Sequence, residues 1–217
     1  MNPGSLIQLI AISALPILFA ITVHEVAHGW VASKLGDQTA RMLGRLTLNP
    51  VKHIDPIGTI AVPLLTLLMG GMIFGWAKPV PVTWENLKHP KRDMALVAAA
   101  GPIANLLMAI FWIIVMKIAW LMVSLSPGLM QALISMGQAG ILINLLLMVL
   151  NLLPIPPLDG SRVVSSLLSG RIAWRYNQLE NYGLIIILLL LMSGILGKLI
   201  MTPVESLMSG LYLAAGI

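Results

Sequence analysis

Residues 6–34 read LIQLIAISALPILFAITVHEVAHGWVASK, an apolar run whose only ionisable side chains before the closing lysine are His24, Glu25 and His28. It exceeds the roughly 20 residues a helix needs to cross a ~30 Å hydrocarbon core. Ser5 offers a cap at its start, and Gly36-Asp37 a stop at its end. Residues at i and i+4 share one helical face, so both imidazoles point the same way, with Glu25 beside them. A membrane helix with three ionisable groups in five residues predicts chemistry within the bilayer.

The rest of the chain agrees with that start. Of 217 residues, 58% are hydrophobic and only 10% are charged, far below the roughly one-quarter charged share of soluble domains. No alternating pattern suggests a barrel, so the expected fold is an all-α polytopic bundle of about five or six membrane segments. Such a bundle uses nearly all of residues 1–217 as one domain and leaves no stretch for a separate soluble one. Met1 to Ser5 lacks a basic n-region, and the first helix carries the best chemical motif, so it is expected to remain rather than be cleaved as a leader.

Further helices are predicted over residues 94–124, 129–152, 182–199 and 203–217, with the run Pro154-Ile155-Pro156-Pro157 stopping the second of these. Residues 41–49, RMLGRLTLN, alternate weakly before Pro50 and read as an extended segment or hairpin arm, of which residues 42–48 are able to hold an unwound substrate by strand addition. Residues 57–75 are apolar but broken by Pro63 and Gly70-Gly71, so they read as a spanning helix or a re-entrant hairpin.

Charge helps to orient this layout. The net charge of +5 comes from scattered residues, not from a basic stripe with aromatics, so no nucleic-acid partner is expected. Eleven of the 13 basic residues fall at Lys34, Arg41, Arg45 and Lys52, at Lys78, Lys88, Lys91 and Arg92, and at Arg162, Arg171 and Arg175. The positive-inside rule puts all three groups in the cytoplasm, which favours the hairpin and leaves Lys117 to snorkel or face a cavity.

With no cysteine, thiolate nucleophiles and Cys-type zinc sites are excluded, so a metal here takes histidine and carboxylate ligands. His24-Glu25-Val26-Ala27-His28 has the i, i+4 spacing of a zinc-binding helix, a pattern expected by chance on the order of once in a thousand shuffles of this composition. A carboxylate at helix centre in a membrane costs at least roughly 2.5 kcal/mol, which weighs against a purely structural cluster. Catalytic zinc usually has three protein ligands. Among the acidic residues only Asp159 ends an apolar helix within a helix-breaking sequence, which makes it a candidate third ligand; its alternative role is a cap or turn residue. His53 and Asp55, just before Pro56, are either a second ligand pair or an interfacial turn, with the turn favoured. His89 reads as a solvated loop residue, while Glu85, Asp93 and Glu180 read as caps or water-facing groups.

Together, HEVAH at 24–28 and NLLPIPPLDG at 151–160 resemble the HExxH and NxxPxPxxDG motifs of the site-2 proteases, a family of intramembrane zinc metalloproteases. Gly101-Pro102-Ile103-Ala104-Asn105 and the stretch from Gly44 to Pro50 are similar to segments of its compact members. The resemblance implies one Zn2+ per chain held by His24, His28 and Asp159, Glu25 as the general base, and Asn151 and Asn105 in contact with substrate. It also implies a multi-pass cell-membrane enzyme that cleaves transmembrane segments, for regulation or for clearing signal-peptide remnants, with its active site towards the cytoplasm. PDZ and cystathionine-synthase-like domains found in some members have no room here. Two rival readings are a metal transporter using the same His/Asp cluster, which explains Glu25 poorly, and a non-catalytic relative acting as a membrane chaperone, which the intact motif opposes.

Overall fold

The computed structural model describes residues 3–62, 75 and 77–217, with side chains described from residue 11 onward except that of Ile60. Most of residues 57–75, and with them the choice between span and hairpin, lie outside the described residues beyond a π-helical turn at Pro56–Ala61. The α-helices are α1 (Pro3–Lys34), α2 (Thr39–Met42), α3 (Pro90–Leu121), α4 (Pro127–Leu152), α5 (Asp159–Leu167), α6 (Gly170–Asn177), α7 (Gly183–Met192) and α8 (Ile195–Ala215). Among the described residues there is no β-strand.

Among the described residues, three helical stretches are long and apolar enough to span a bilayer: Ala11–Lys34, Pro90–Leu121 and Pro127–Leu152. A fourth crossing arises if Gly170–Met192 and Ile195–Ala215, bent by 79°, count as one span. The outward faces of these helices keep large apolar groups such as Leu107, Phe111, Ile114 and Ile118 exposed, as lipid contact requires.

The core lies between α3 and α4 and is closed by α7 and α8. Trp112, Ile113 and Met116 of α3 pack with Ile141, Leu145 and Met148 of α4, and with Ile187, Leu196, Ile200 and Val204. Two glycines set the approach of α4 to α3. A Cβ at Gly140 would fall 2.3 Å from Trp112 Cγ, and one at Gly137 would fall 2.7 Å from Met116 Cβ. Small residues at helix contacts replace the hydrophobic drive that lipid does not supply.

Several boundaries differ from the sequence expectation. Arg41 and Met42 belong to the short helix α2, a turn follows at 43–44, and residues 45–49 run without turn or helix apart from a bend at Leu48; no strand forms. The basic stretch after Asp159 is two amphipathic helices, α5 and α6, not a loop, because its charges occupy one face of each. The last break falls at Gly194, whose φ of +73° a glycine adopts without strain, while Pro203 sits inside α8. A membrane helix tolerates such a proline because neighbouring groups satisfy the freed carbonyl.

All three basic groups meet at one end of the bundle. The Lys88 N–H donates to Leu35 O at 3.0 Å, Lys91 Nζ donates to Leu168 O at 2.6 Å, and the Arg162 guanidinium lies 4.9 Å from the centre of the Trp84 ring. Lys117, towards the other end, donates to Ala215 O at the C-terminus of α8.

Asp37, fully buried beyond α1, ties that end together. It accepts the N–H of Thr83 at 2.8 Å, the N–H of Thr39 at 3.0 Å and the side-chain amide of Asn86 at 3.1 Å, besides the Thr39 hydroxyl. Burial pushes its carboxyl up, but the hydrogen bonds from Thr39, Thr83 and Asn86 outweigh that and hold it below the ordinary carboxylate value. A folded value below the unfolded one means that its stabilisation is full above roughly pH 4 and is lost as pH falls through the folded value. Asp37→Ala is expected to lower stability in detergent by about 1–3 kcal/mol, the cost of stranding buried donors. The loss should shrink in unfolding measured below pH 3; a difference that persists there would contradict the ionised clasp.

Candidate metal centre

The motif on α1 faces α3. Both imidazoles are buried, and each has its Nδ1 occupied from α3: His24 Nδ1 lies 2.6 Å from Asn105 Oδ1 and His28 Nδ1 lies 2.7 Å from Val97 O. The amide orientation follows from its other end, where Asn105 Nδ2 donates to Ala20 O at 3.1 Å and to Asn144 Oδ1 at 2.9 Å. Both acceptors are oxygens, so both Nδ1 atoms carry the proton, and the Nε2 atoms are left with lone pairs.

Those two Nε2 atoms are 3.0 Å apart, with the rings at 86°. Asp159 Oδ2 stands 3.3 Å from each. It is buried and has no hydrogen-bond partner. Three lone-pair donors converging in a buried place repel one another unless a cation joins them. A tetrahedral zinc site with bonds of about 2.0–2.1 Å has ligand-to-ligand edges of about 3.3–3.4 Å, close to the 3.0 and 3.3 Å sides found here. The donor set therefore fits a zinc ion. Among the described residues, His24, His28 and Asp159 are the only group of three such donors.

The proline run delivers Asp159. After α4 ends at Leu152, residues 153–158 turn back on themselves, with Leu158 N–H donating to Ile155 O at 2.9 Å. Gly160 lies so close to the end of α4 that a Cβ there would sit 2.2 Å from Leu152 O. Only glycine permits that approach. Asp159 thus opens α5 directly against the imidazoles.

A second glycine shapes the site from α3. A Cβ on Gly101 would fall 2.5 Å from His28 Nε2 and 2.7 Å from His24 Nε2. Only a residue without a side chain lets α3 pass this close to the two donor nitrogens. Glu25 is half-buried, and its Oε2 accepts the N–H of Val80 at 2.7 Å.

The remaining sequence candidates lie elsewhere. Asn105 sits behind His24, fully buried, with its side chain committed to His24, Ala20 and Asn144. Asn151 donates to Leu147 O of its own helix at 3.0 Å. His53 Nε2 donates to Thr47 O at 2.9 Å, and Asp55 caps the π-helical turn through Ile57 N and Gly58 N; neither joins the cluster. Asp93 reaches back to accept the His89 N–H at the start of α3 and so satisfies a donor at that helix end. Sequence reading missed Val97 O, Asn144 and Val80, since a main-chain partner on another helix leaves no mark in residue type.

Outer partners of metal-binding histidines set ring orientation and basicity, and their loss typically costs about 10–100-fold in metal affinity. Asn105→Ala is expected to weaken zinc binding by that factor in chelator competition. Unchanged affinity would mean that His24 is held by packing alone.

The model for peptidase family M50 matches residues 12–129 and 122–194. "Putative zinc metalloprotease YwhC" of Bacillus subtilis (strain 168) is 40% identical over 192 residues, covering 86% of this chain and 82% of its own. "Putative zinc metalloprotease Rip2" of Mycolicibacterium smegmatis (strain ATCC 700084 / mc(2)155) is 30% identical over 183 residues, covering 83% of this chain and 66% of its own. The Rip2 protein of Mycobacterium tuberculosis (strain ATCC 25618 / H37Rv) is 31% identical over 144 residues, which is 66% of this chain and 52% of its own, so this chain spans only part of the Rip2 proteins. No solved structure matches. With the family match extending over both motif helices and a relative aligned along most of both chains, this protein belongs to peptidase family M50 and is a metalloprotease.

Proposed function

We propose that the chain is an intramembrane zinc endopeptidase that hydrolyses peptide bonds in transmembrane segments of other proteins. The observation that carries this reading is the triangle of His24 Nε2, His28 Nε2 and Asp159 Oδ2 beside Glu25, on a helix long and apolar enough to span a bilayer. The M50 match and relatives named as zinc metalloproteases support the choice of metal.

In this reading His24, His28 and Asp159 hold one zinc ion, which supplies Lewis acidity towards water and the scissile carbonyl. Glu25 takes a proton from the attacking water and passes it to the leaving amine nitrogen as the C–N bond breaks. Asn105 fixes His24 in the tautomer that offers Nε2 outward, so it positions a ligand and does not touch substrate. Asn151, half-buried at the end of α4, keeps its amide oxygen for substrate. Residues 1–217 work as one domain.

The site lies in the last third of α1, the end at which the basic groups gather, and this supports an active site towards the cytoplasm in a cell membrane. Water enters from that side. The test is zinc content together with cleavage of a transmembrane helix in proteoliposomes, compared with the same scissile sequence in a soluble peptide. About one zinc per chain and preferential cleavage of the embedded helix are expected. Zinc-free protein, or cleavage of the soluble peptide alone, would overturn the intramembrane reading.

A further inference from the structure

Residues 77–82, Ala-Lys-Pro-Val-Pro-Val, form a strap without helix or strand pairing across the face of α1 that carries Glu25. Pro79 and Pro81 have no N–H, so Val80 is the only main-chain donor of the Pro-Val-Pro unit, and it donates to Glu25 Oε2 at 2.7 Å. The strap is anchored from several sides. Lys78 N–H donates to His53 O at 2.9 Å. Arg45 Nη2 donates to Lys78 O at 3.0 Å and to Pro79 O at 3.4 Å. The Val80 side chain is buried at Gly29, where an added Cβ would lie 2.8 Å from Val80 Cγ1 and 2.6 Å from Leu46 Cδ2. Past its end, Thr83 N–H is held by Asp37.

A glutamate has three side-chain torsions, and fixing such a chain costs conformational entropy that a positioned donor offsets. Holding one carboxylate oxygen restricts where the other can lie, and misplacing a reacting group by about 1 Å can cost on the order of 100-fold in rate. We propose that Arg45 is a positioning residue for proteolysis: by clamping the carbonyls of Lys78 and Pro79 it fixes the strap, whose Val80 N–H orients the Glu25 carboxylate. This rests on Glu25 being the general base.

The experiment measures kcat, KM and zinc content for the full chain in detergent or liposomes, comparing wild type with Arg45→Ala, Arg45→Lys and Glu25→Gln. Arg45→Ala is expected to lower kcat by about 10–100-fold, with KM and zinc content unchanged. Arg45→Lys, which keeps one donor for the carbonyls, should recover most of the rate. A rise in KM at constant kcat would instead make Arg45 a direct substrate contact and overturn the proposal, as would loss of zinc. If Glu25→Gln cleaves like wild type, the general-base reading fails; if Glu25→Gln is inactive while Arg45→Ala keeps full kcat, only the positioning role fails.

A second pair guards against an Arg45→Ala chain that does not fold. Gly29→Ala crowds Leu46 Cδ2 at 2.6 Å and Val80 Cγ1 at 2.8 Å and so displaces the strap while leaving Arg45 and every donor and acceptor of its hydrogen bonds in the chain, so it should lower kcat, and adding Val80→Ala with Leu46→Ala, which clears both crowded side chains, should restore part of the loss. No restoration in the triple variant overturns the proposal.

Discussion

Glu25→Gln is expected to reduce cleavage of a transmembrane substrate by about 10²–10⁴-fold, the usual share of a general acid–base group, while zinc stays bound. Glutamine has nearly the same shape as glutamate, and its side-chain oxygen still accepts the Val80 N–H that Glu25 accepts at 2.7 Å. What it loses is the ability to take a proton from water and return it to the leaving nitrogen. Glu25 is not one of the three donors that converge at 3.0 and 3.3 Å, so metal content should match wild type. The measurement is kcat alongside zinc determined on the same preparation. Wild-type cleavage would remove Glu25 from the chemistry and revive the reading of the site as a place of metal transit, whereas joint loss of zinc and activity would make Glu25 part of the metal shell.

What sequence could reveal here was set by local spacing. The pair His24 and His28 is legible because four residues make one helical turn, and Asp159 is legible because prolines at 154, 156 and 157 cannot continue α4. The long apolar helices α1, α3 and α4 are legible from length and polarity alone. Four things were hidden. Charges at Arg162, Arg171 and Arg175 suggested a loop, yet they lie on the two short amphipathic helices α5 and α6. The choice of Gly194 over Pro203 as the last break depends on how α8 packs against α4, which no local rule contains. Asn105 entered as a substrate contact only through the family resemblance; its hydrogen bond to a histidine 81 residues earlier is a pairing that no local spacing announces. The same holds for Gly101, whose Gly-Pro step could be noticed without its reason. That reason is the approach of α3 to α1.

The size of that reason can be measured by adding one methyl group. Gly101→Ala would set a Cβ 2.5 Å from His24 Cε1 and from His28 Nε2, and 2.7 Å from His24 Nε2, closer than real Cβ contacts come. The neighbours have little freedom to yield. His24 is pinned through Nδ1 to Asn105, itself tied to Ala20 and Asn144, and His28 is pinned through Nδ1 to Val97 O one turn before Gly101. Nor can α3 retreat easily, since Trp112 already lies against Gly140 with no room for a Cβ between them. The methyl must therefore displace the imidazoles or stand over their donor nitrogens, and either outcome breaks the triangle with Asp159. Zinc affinity is expected to fall by more than the roughly 10–100-fold of a lost outer-shell partner, and cleavage should fall with it. Gly210→Ala is the matched control, because its Cβ meets nothing within 4 Å and should leave both zinc and cleavage unchanged. If Gly101→Ala keeps its helicity and thermal stability but binds zinc as tightly as wild type, the three donors are not where this packing of α1 against α3 puts them, and the assignment of the metal site fails with it.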